Sequence, residues 1–241
     1  MRDAGADFAE QPDETMRDRV YRDIKELFIS GQVYPGERIS LRTLASALGT
    51  SAMPVREALR QLAACDAVEI SPKKAARVPL MSISRFRELL AIRLNLEGMA
   101  VENAAKIATP AQVAEMRQYA EAFERELKRL RPDPSALVRL NKDLHFAAYR
   151  AAGSPVLISL IELLWLQVGP VINYDLRQSK TRLQDRPAIT QHRQMVDAIS
   201  AGDPIGARNA LVDDLSTAAT IIIEAGKLLA VEDQPVTEEE R

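Results

Sequence analysis

The apolar positions of the N-terminal third fall into short helical repeats separated by turn residues. A stripe that recurs every three to four residues predicts a first helix over residues 15–30, and Gly31 ends it. Ser40 and Ser51 each precede another apolar-periodic stretch, and each is expected to cap a helix, the first of them over residues 41–48. The pattern therefore predicts three short helices in succession.

Two short runs after the third helix predict strands, at residues 67–70 and 77–79, on either side of a basic turn. Three helices followed by a basic hairpin is the order of elements in a winged helix-turn-helix, which binds DNA. We expect this domain to occupy residues 15–80. Residues 1–14 before it are acidic and polar, and they predict a flexible tail.

From Ser84 onward the apolar pattern is helical throughout. It predicts six helices, at residues 84–107, 110–131, 135–152, 155–178, 186–201 and 204–230. Proline combined with glycine or a capping residue marks the boundaries. The expected fold class is therefore mostly α: a winged helix-turn-helix with a small β wing, followed by an antiparallel all-α bundle of six or seven helices. The bundle domain is expected over residues 81–231, with a second flexible tail at 232–241.

The distribution of charge along the chain says more about function than the net charge of -2 does. Residues 15–81 carry eleven Lys or Arg against seven acids, a net of +4, whereas residues 1–14 carry one Arg against five acids, a net of -4. A basic head on a mildly acidic body suits nucleic-acid binding, and chance clustering is the alternative.

The single cysteine, Cys65, allows no disulfide within the chain, which favours a reducing compartment. No apolar run approaches the roughly 18 residues of a membrane span, and the acidic N-terminus lacks the apolar core of a signal peptide. We therefore expect a cytoplasmic protein with no membrane partner.

Three stretches of the head share one pattern in register: SGQVYPGERIS, LRTLASALGTSAMPVREALRQL and VEISPKKAARV. Together they resemble the DNA-binding head of the GntR family of bacterial regulators. The resemblance implies that two arginines contact DNA and that three residues form the reading end of the recognition helix. These residues are Arg42 and Arg56, and Ser51, Ala52 and Met53. It also implies contacts from the wing to phosphate or the minor groove, by Lys73, Lys74 and Arg77. For each cation the alternative is a solvated surface charge.

The reading end departs from the family pattern. The family usually has an arginine where Ala52 stands, a threonine near Met53, and a glycine at the wing where Ala75 stands. Arginine is the side chain that reads guanine edges bidentately, so the family's usual operator does not carry over to this chain. We expect the operator to be read more through apolar contacts and DNA shape.

The bundle resembles the FCD ligand-binding domain of FadR-type members of the family. The matching stretches are IRLNLEGMAVENAA, LNKDLHFAAYRAAGSP, ITQHRQMVDAISAGD and ARNALVDDL. The resemblance implies a divalent metal ion, such as zinc or nickel, bound by Asn141, His145, His192 and Asp214. The family's last ligand is usually a third histidine. Alternatively, both histidines are hydrogen-bonded core residues and Asp214 is a solvated neighbour of Asp213.

Arg93 matches a family arginine that can face the pocket, where a carboxylate effector would pair with it. A plain surface ion pair of Arg93 with Glu97 is the alternative. The resemblance thus implies a repressor that binds a pseudo-palindromic double-stranded operator as a homodimer, under the control of a small molecule such as a carboxylic acid. The other functions considered are a metal-dependent enzyme built on His145, His192 and Asp214, and a DNA-binding dimer with an empty pocket.

Overall fold

Caps and apolar stripes position the helices of the head much as the pattern predicts. The computed structural model describes residues 15–71, 75–178, 187–226 and 228–229. The expected tails, as well as Lys73 and Lys74, lie outside these residues. The first three helices are α1 (Met16–Ile29), α2 (Leu41–Ala47) and α3 (Ala52–Ala63).

The caps of these helices follow the sequence with one exception. The side chain of Thr15 accepts a hydrogen bond from the Asp18 amide and caps α1, and Ser40 accepts from the Thr43 amide and caps α2. Ser51 stands at the N-cap position of α3, but the expected capping hydrogen bond to its side chain is not formed.

The wing is a three-stranded antiparallel sheet formed by β1 (Arg38–Ile39), β2 (Glu69–Ile70) and β3 (Ala76–Arg77), with β3 in the centre. β1 precedes α2 and was not predicted, because two residues carry no detectable alternation. The other two strands are shorter than expected, and β3 begins one residue earlier. In β3, Ala76 turns into the core and Arg77 turns outward.

The bundle contains six helices within the described residues. They are α4 (Ile83–Ile107), α5 (Pro110–Leu127), α6 (Pro134–Ala151), α7 (Pro155–Gln178), α8 (Pro187–Ala201) and α9 (Pro204–Glu224). All but α4 begin with proline, whose missing N–H has no intrahelical partner at that position anyway. Helices α4, α6, α8 and α9 surround the buried polar cluster described below.

Two predicted helix ends in the bundle were wrong. Helix α5 ends at Leu127 rather than near residue 131, and α9 ends at Glu224 rather than near residue 230. After α9, Gly226 takes a left-handed conformation with φ 63°, which terminates the helix. Leu229 then forms a β-bridge with Ser82 at the start of α4.

The head is docked on the bundle through α1 and α7. The buried Asn173 donates from Nδ2 to the carbonyl oxygen of Ile29 at 3.0 Å. Beside it, a Cβ on Gly169 would lie 2.6 Å from the carbonyl oxygen of Phe28, so only glycine allows this approach. An ion pair of Lys25 with a glutamate of α7 joins the same two helices. The side of α7 that carries Gly169 and Asn173 is thus fitted to the backbone of α1.

Helix α7 also corrects an expectation about membranes. Its stretch Pro155–Tyr174 is long and apolar enough to cross one, with a mean hydropathy of 1.8, so the statement that no apolar run approaches this length was wrong. Half of the stretch is buried inside the protein, where α7 packs against α1, α4 and α6. Such burial is typical of the core helix of a helical bundle.

Candidate DNA-binding surface and candidate metal centre

The start of α3 is an exposed surface formed by the residues expected to read DNA. Ser51, Ala52 and Met53 are all exposed, and Met53 is 67% exposed, an unusual position for so large an apolar side chain. Arg56 follows one turn later on the same exposed face, because the apolar side of α3 turns into the core. The surface has one cation and one large apolar side chain side by side.

The other head cations have different surroundings. Arg42 is exposed on α2, and within the described part of the chain neither Arg42 nor Arg56 forms an ion pair or a side-chain hydrogen bond. Arg77 is exposed on β3 and donates from Nε to the carbonyl oxygen of Gly36 at 3.2 Å. The guanidinium groups of Arg42 and Arg56 are therefore available to bind DNA, whereas that of Arg77 is partly occupied by its hydrogen bond to the turn before β1.

Three helices of the bundle bring a second set of predicted residues together. His145 of α6, His192 of α8 and Asp214 of α9 are all buried, and one possible ligand atom of each lies within 4.8 Å of the other two. Nε2 of His145 lies 3.3 Å from Oδ2 of Asp214, and Nε2 of His192 lies 3.8 Å from Oδ1 of the same carboxylate. Asn141 is buried one turn before His145 and lines the adjoining cavity.

Burial decides two alternatives that the sequence left open. Asp214 is buried whereas its neighbour Asp213 is exposed, so the carboxylate that faces the histidines is not a solvated one. Arg93 and Glu97 are also buried, and the guanidinium binds the carboxylate through Nε at 2.6 Å and Nη2 at 3.2 Å. The alternative of a plain surface pair for these two residues is therefore wrong.

A hydrogen-bonded chain connects the Arg93–Glu97 pair to the histidines. The hydroxyl of Tyr149 donates to Oε2 of Glu97, and Nδ1 of His145 lies 3.1 Å from the same hydroxyl oxygen. Burial and the Glu97 carboxylate together raise the pKa of Tyr149 well above its usual value, so this hydroxyl keeps its proton. Burial lowers the pKa of Arg93, but Glu97 outweighs that effect and the net shift is upward.

These hydrogen bonds determine which nitrogen of His145 presents a lone pair to the cluster. Because the Tyr149 proton is directed to Glu97, the hydroxyl oxygen accepts from Nδ1–H of His145, and in the neutral form of this ring Nε2 carries the lone pair. Its lone pair faces a carboxylate oxygen of Asp214. Two acceptors at that distance repel each other unless a metal ion or a second proton lies between them.

The chemistry and size of the site fit a divalent ion. Two imidazoles, one carboxylate and a nearby amide oxygen are ligands that zinc or nickel accepts. The adjoining cavity of about 20 Å³ has room for a single water-sized species. Among the described residues around this cluster, Glu97 and Asp214 are buried acids and Arg93 carries the buried guanidinium, so a cation here improves the charge balance.

Sequence reasoning missed part of this arrangement. Tyr149 lies at i+4 from His145 on α6, a spacing that the sequence shows and that could have marked it as a partner. Trp165 has no such local spacing, because it comes from α7; its ring lies 5.2 Å from the Arg93 guanidinium carbon. Both residues hold the polar cluster from outside the predicted ligand set.

Comparison with known proteins identifies both parts of the chain. The family described as "Bacterial regulatory proteins, gntR family" matches residues 16–78, and the FCD domain family matches residues 88–217. The HTH-type transcriptional regulator McbR of Escherichia coli (strain K12) is 30% identical over 206 residues, which are 86% of this chain and 92% of that protein. The chain belongs to the GntR family.

Two further similarities extend this result. The solved structure of E. coli McbR/YncC is 28% identical and superposes with a TM-score of 0.80, covering 88% of this chain and 99% of that one. A Paenarthrobacter nicotinovorans protein named "Probable D-xylose utilization operon transcriptional repressor" is 30% identical over 186 residues, covering 75% of this chain and 77% of that protein. The fold and the GntR resemblance predicted from the sequence are thereby confirmed.

Membership of the GntR family settles the class of function. The protein is a transcriptional regulator whose head implies DNA binding and whose FCD domain implies a small-molecule effector. The relatives named above are likewise transcriptional regulators, so the enzymatic alternative built on His145, His192 and Asp214 is wrong.

Proposed function

We propose that this GntR-family regulator is a homodimeric, cytoplasmic repressor whose affinity for its operator is set by a carboxylate effector bound beside a divalent ion in the bundle. The buried convergence of His145, His192 and Asp214 carries the proposal. Asn141, next to them, completes the set of residues that would hold the ion. The ion, when bound, supplies the positive charge that attracts a carboxylate to this site.

Arg93 supports the choice of a carboxylate. It lines the same cavity as Asn141, His145 and Asp214, and its positive charge is held in place by Glu97. The cavity of about 20 Å³ must widen to admit a carboxylate, which then meets this charge in a buried setting where water screens it little. Glu97 itself occupies Nε and Nη2 of Arg93, so the effector would be bound through the rest of the guanidinium.

On the DNA side, the proposal assigns distinct roles to the head residues. The start of α3, with Ser51, Ala52 and Met53, enters the major groove, and Arg42 and Arg56 contact DNA beside it. Arg77, together with Lys73 and Lys74, supplies phosphate or minor-groove contacts from the wing. Support comes from the exposure of the first residues of α3. Within the described residues, Arg56 also forms no ion pair or side-chain hydrogen bond that would compete with DNA.

The homodimer is supported by two apolar stripes on helices that pack against each other. Helix α4 exposes Ile92 and Met99, and α7 exposes Val156, Leu160 and Leu163. We call these five residues the α4–α7 face. Rows of exposed apolar side chains on neighbouring helices are typical of association surfaces, and a second copy would bury them. A two-fold dimer presents two heads to a pseudo-palindromic operator.

Repression is the direction that the P. nicotinovorans relative favours, because that protein is named as a repressor. In this mechanism the effector binds one arrangement of the two heads better than the other, so effector affinity and operator affinity are linked.

Asp214 and Asp213 provide a matched test of the site. Asp214→Asn removes the buried carboxylate, whereas Asp213→Asn removes an exposed one beside it. We expect Asp214→Asn to lose Zn²⁺ or Ni²⁺ binding in calorimetry and to lose the response of operator binding to a panel of small carboxylates. Operator binding without effector should persist, and Asp213→Asn should behave as the wild type. An unchanged response in Asp214→Asn would show that Asp214 is not part of the effector site, and no response to any acid in the wild type would instead support a DNA-binding dimer with an empty pocket.

A further inference from the structure

We infer that residues 230–241 compete with DNA for the wing: when no operator is bound, this segment of the chain binds two arginines of the wing, Arg38 and Arg77, through its carboxylates. We call residues 230–241 the acidic segment. The competition rests on the proposed function in one respect, because the wing must contact DNA. It gives Arg38 a role and gives the outer surface of the wing a second partner.

Arg38 and Arg77 lie directly opposite each other in the wing. They are Cα partners in the antiparallel pair of β1 and β3, and both are exposed. Side chains at opposed positions project from the same face of a sheet, and like charges there repel each other. An anion that binds between the two guanidinium groups would remove this repulsion. We call Arg38 and Arg77 the wing pair.

Neither arginine of the wing pair forms an ion pair with another described residue. Arg77 donates one hydrogen bond, to the carbonyl oxygen of Gly36, and Arg38 forms no side-chain hydrogen bond within the described ranges. Glu69 of β2 lies opposite Arg77 on its other side, but no ion pair joins these two residues. The wing pair therefore places two positive charges side by side at the surface, without an anion from the described parts of the chain.

The acidic segment begins close to this surface. It follows Leu229, whose amide donates to the carbonyl oxygen of Met81 at 2.9 Å and whose carbonyl oxygen accepts from the amide of Ile83 at 3.1 Å. Leu229 is thus held at the joint between head and bundle. It also lines a cavity of about 190 Å³ together with Pro35, which belongs to the turn that accepts the hydrogen bond of Arg77. The segment therefore starts beside the turn next to the wing pair.

The charge and length of the acidic segment suit the wing pair. Its twelve residues carry five acids against one arginine, a net of -4, whereas residues 15–81 have a net of +4. Twelve residues can extend up to about 40 Å, and a domain of the size of the head has a radius of gyration of about 11 Å. The acids can therefore reach the wing pair from Leu229. Because the segment is tethered, even weak ion pairs form at a high effective concentration.

DNA phosphates and the acidic segment would then compete for the same two guanidinium groups. When the segment occupies the wing pair, DNA must displace it, so the apparent Kd for DNA rises as the fraction of protein with a free wing pair falls. Ion pairs between exposed groups weaken as salt is added. The segment is therefore expected to lower the affinity for DNA most strongly at low salt, without any contact to the recognition helix α3.

The test compares two full-length variants that lose the same number of carboxylates, so that a general effect of net charge is the same in both. The first variant replaces the five acids of the acidic segment by amides: E232Q, D233N, E238Q, E239Q and E240Q. The second replaces the five acids of residues 1–14: D3N, D7N, E10Q, D13N and E14Q. Operator binding is measured by fluorescence anisotropy. We expect the first variant to bind at least threefold more tightly than the wild type at about 50 mM salt, with the gain lost at about 300 mM. The second variant should bind like the wild type. No gain in the first variant, or an equal gain in both, would overturn the inference.

Removal of the wing pair locates the competition. In a protein that carries Arg38→Gln and Arg77→Gln, neutralising the acidic segment should no longer increase the affinity for the operator, because the surface that binds the segment is gone. A gain as large as in the protein with both arginines would overturn the inference.

The same set of proteins separates this inference from the proposed function. If removal of the wing pair weakens operator binding while the acids of the segment have no effect, the competition is wrong and the DNA contact of the wing stands. If removal of the wing pair leaves operator binding unchanged even when the segment is neutral, the wing does not contact DNA, and the inference falls with that part of the proposed function.

Discussion

Among the described residues of the head, Met53 is the most exposed large apolar side chain, and it lies at the start of the helix that we propose enters the major groove. The thymine methyl is the apolar group that the major groove presents. We predict that Met53 contacts it, and that replacing the contacted thymine by deoxyuridine in the operator weakens binding on the order of fourfold, the value of one buried methyl group. Fluorescence anisotropy on an operator selected from random DNA measures this.

The control is a double-mutant cycle. Met53→Ala should bind the thymine and deoxyuridine operators equally, because the partner of the methyl group is gone. Arg56→Ala should keep the difference between the two operators while it weakens both. If the wild type does not distinguish thymine from deoxyuridine at any position, Met53 has another role.

Tyr149 tests the support of the metal site. Tyr149→Phe keeps the buried ring but removes the hydroxyl that lies between Glu97 and Nδ1 of His145. Because such partners orient a metal-binding imidazole, we expect Zn²⁺ affinity to fall about 10- to 100-fold, as measured by calorimetry. The matched control is Tyr119→Phe, on the partly buried side of α5. Equal Zn²⁺ affinity in Tyr149→Phe and the wild type would contradict the role of the hydroxyl.

The sequence identified the candidate metal-binding residues, but it did not identify the residues that form hydrogen bonds with them. His145, His192 and Asp214 were found through a family resemblance, and the structure brings them together. The bond between Tyr149 and Glu97 joins two helices and residues 52 positions apart in the chain, which no local pattern encodes. The burial of Arg93 was equally hidden, because an i, i+4 pair looks the same on a surface and in a core.

At the scale of elements, α7 connects the polar cluster with the head. It carries Trp165 over the Arg93 guanidinium, and Gly169 and Asn173 against α1 one and two turns later. The three positions share one side of the helix because they are spaced by four residues. We therefore expect an effector that displaces Trp165 to move the surface on which the head is docked.

Gly169→Ala tests this docking. Inside a helix this change ordinarily stabilises by about 1 kcal/mol. Here the new Cβ would lie 2.6 Å from the Phe28 carbonyl oxygen, a backbone atom that cannot rotate away. We expect the clash to win and the free energy of unfolding in urea to fall by about 1–3 kcal/mol.

Ser159→Ala, on the exposed side of the same helix, is the control for an added alanine, and it also removes the hydrogen bond from Oγ of Ser159 to the Pro155 carbonyl oxygen. A Gly169→Ala protein as stable as the Ser159→Ala protein would show that the head does not need this close approach.

Helix starts that are marked by a proline were predictable, whereas the end of α9 and the short strand β1 were not. Five bundle helices begin at a proline, and their starts were predicted within one residue. The end of α9 was missed because the apolar pattern continues past Gly226, whose left-handed backbone ends the helix before Leu229 bridges to Ser82. The two residues of β1 are strand solely because β3 pairs with them.

For the whole molecule, the α4–α7 face predicts the oligomeric state. Leu160→Glu places a charge among its apolar side chains, and we expect a dimer to become a monomer in light scattering coupled to size exclusion. The loss of the second head should weaken operator binding at least tenfold. Leu130→Glu, 99% exposed in the loop after α5, should remain dimeric. A dimeric Leu160→Glu protein would place the interface elsewhere.

Helix α1 belongs to the head and also contacts the bundle, which limits how the head can be joined to the bundle of another regulator. The earlier turns of α1 pack in the core of the head, whereas its last turn contacts α7. There the Ile29 carbonyl oxygen accepts a hydrogen bond from Asn173, and the Phe28 carbonyl oxygen lies close to Gly169. A head excised after residue 80 loses that contact and exposes the end of its own first helix. A chimera that joins this head to another regulator's bundle would need a glycine and an asparagine where α7 has Gly169 and Asn173. The head is therefore not a portable module, and the joint between the two parts must be exchanged together with it.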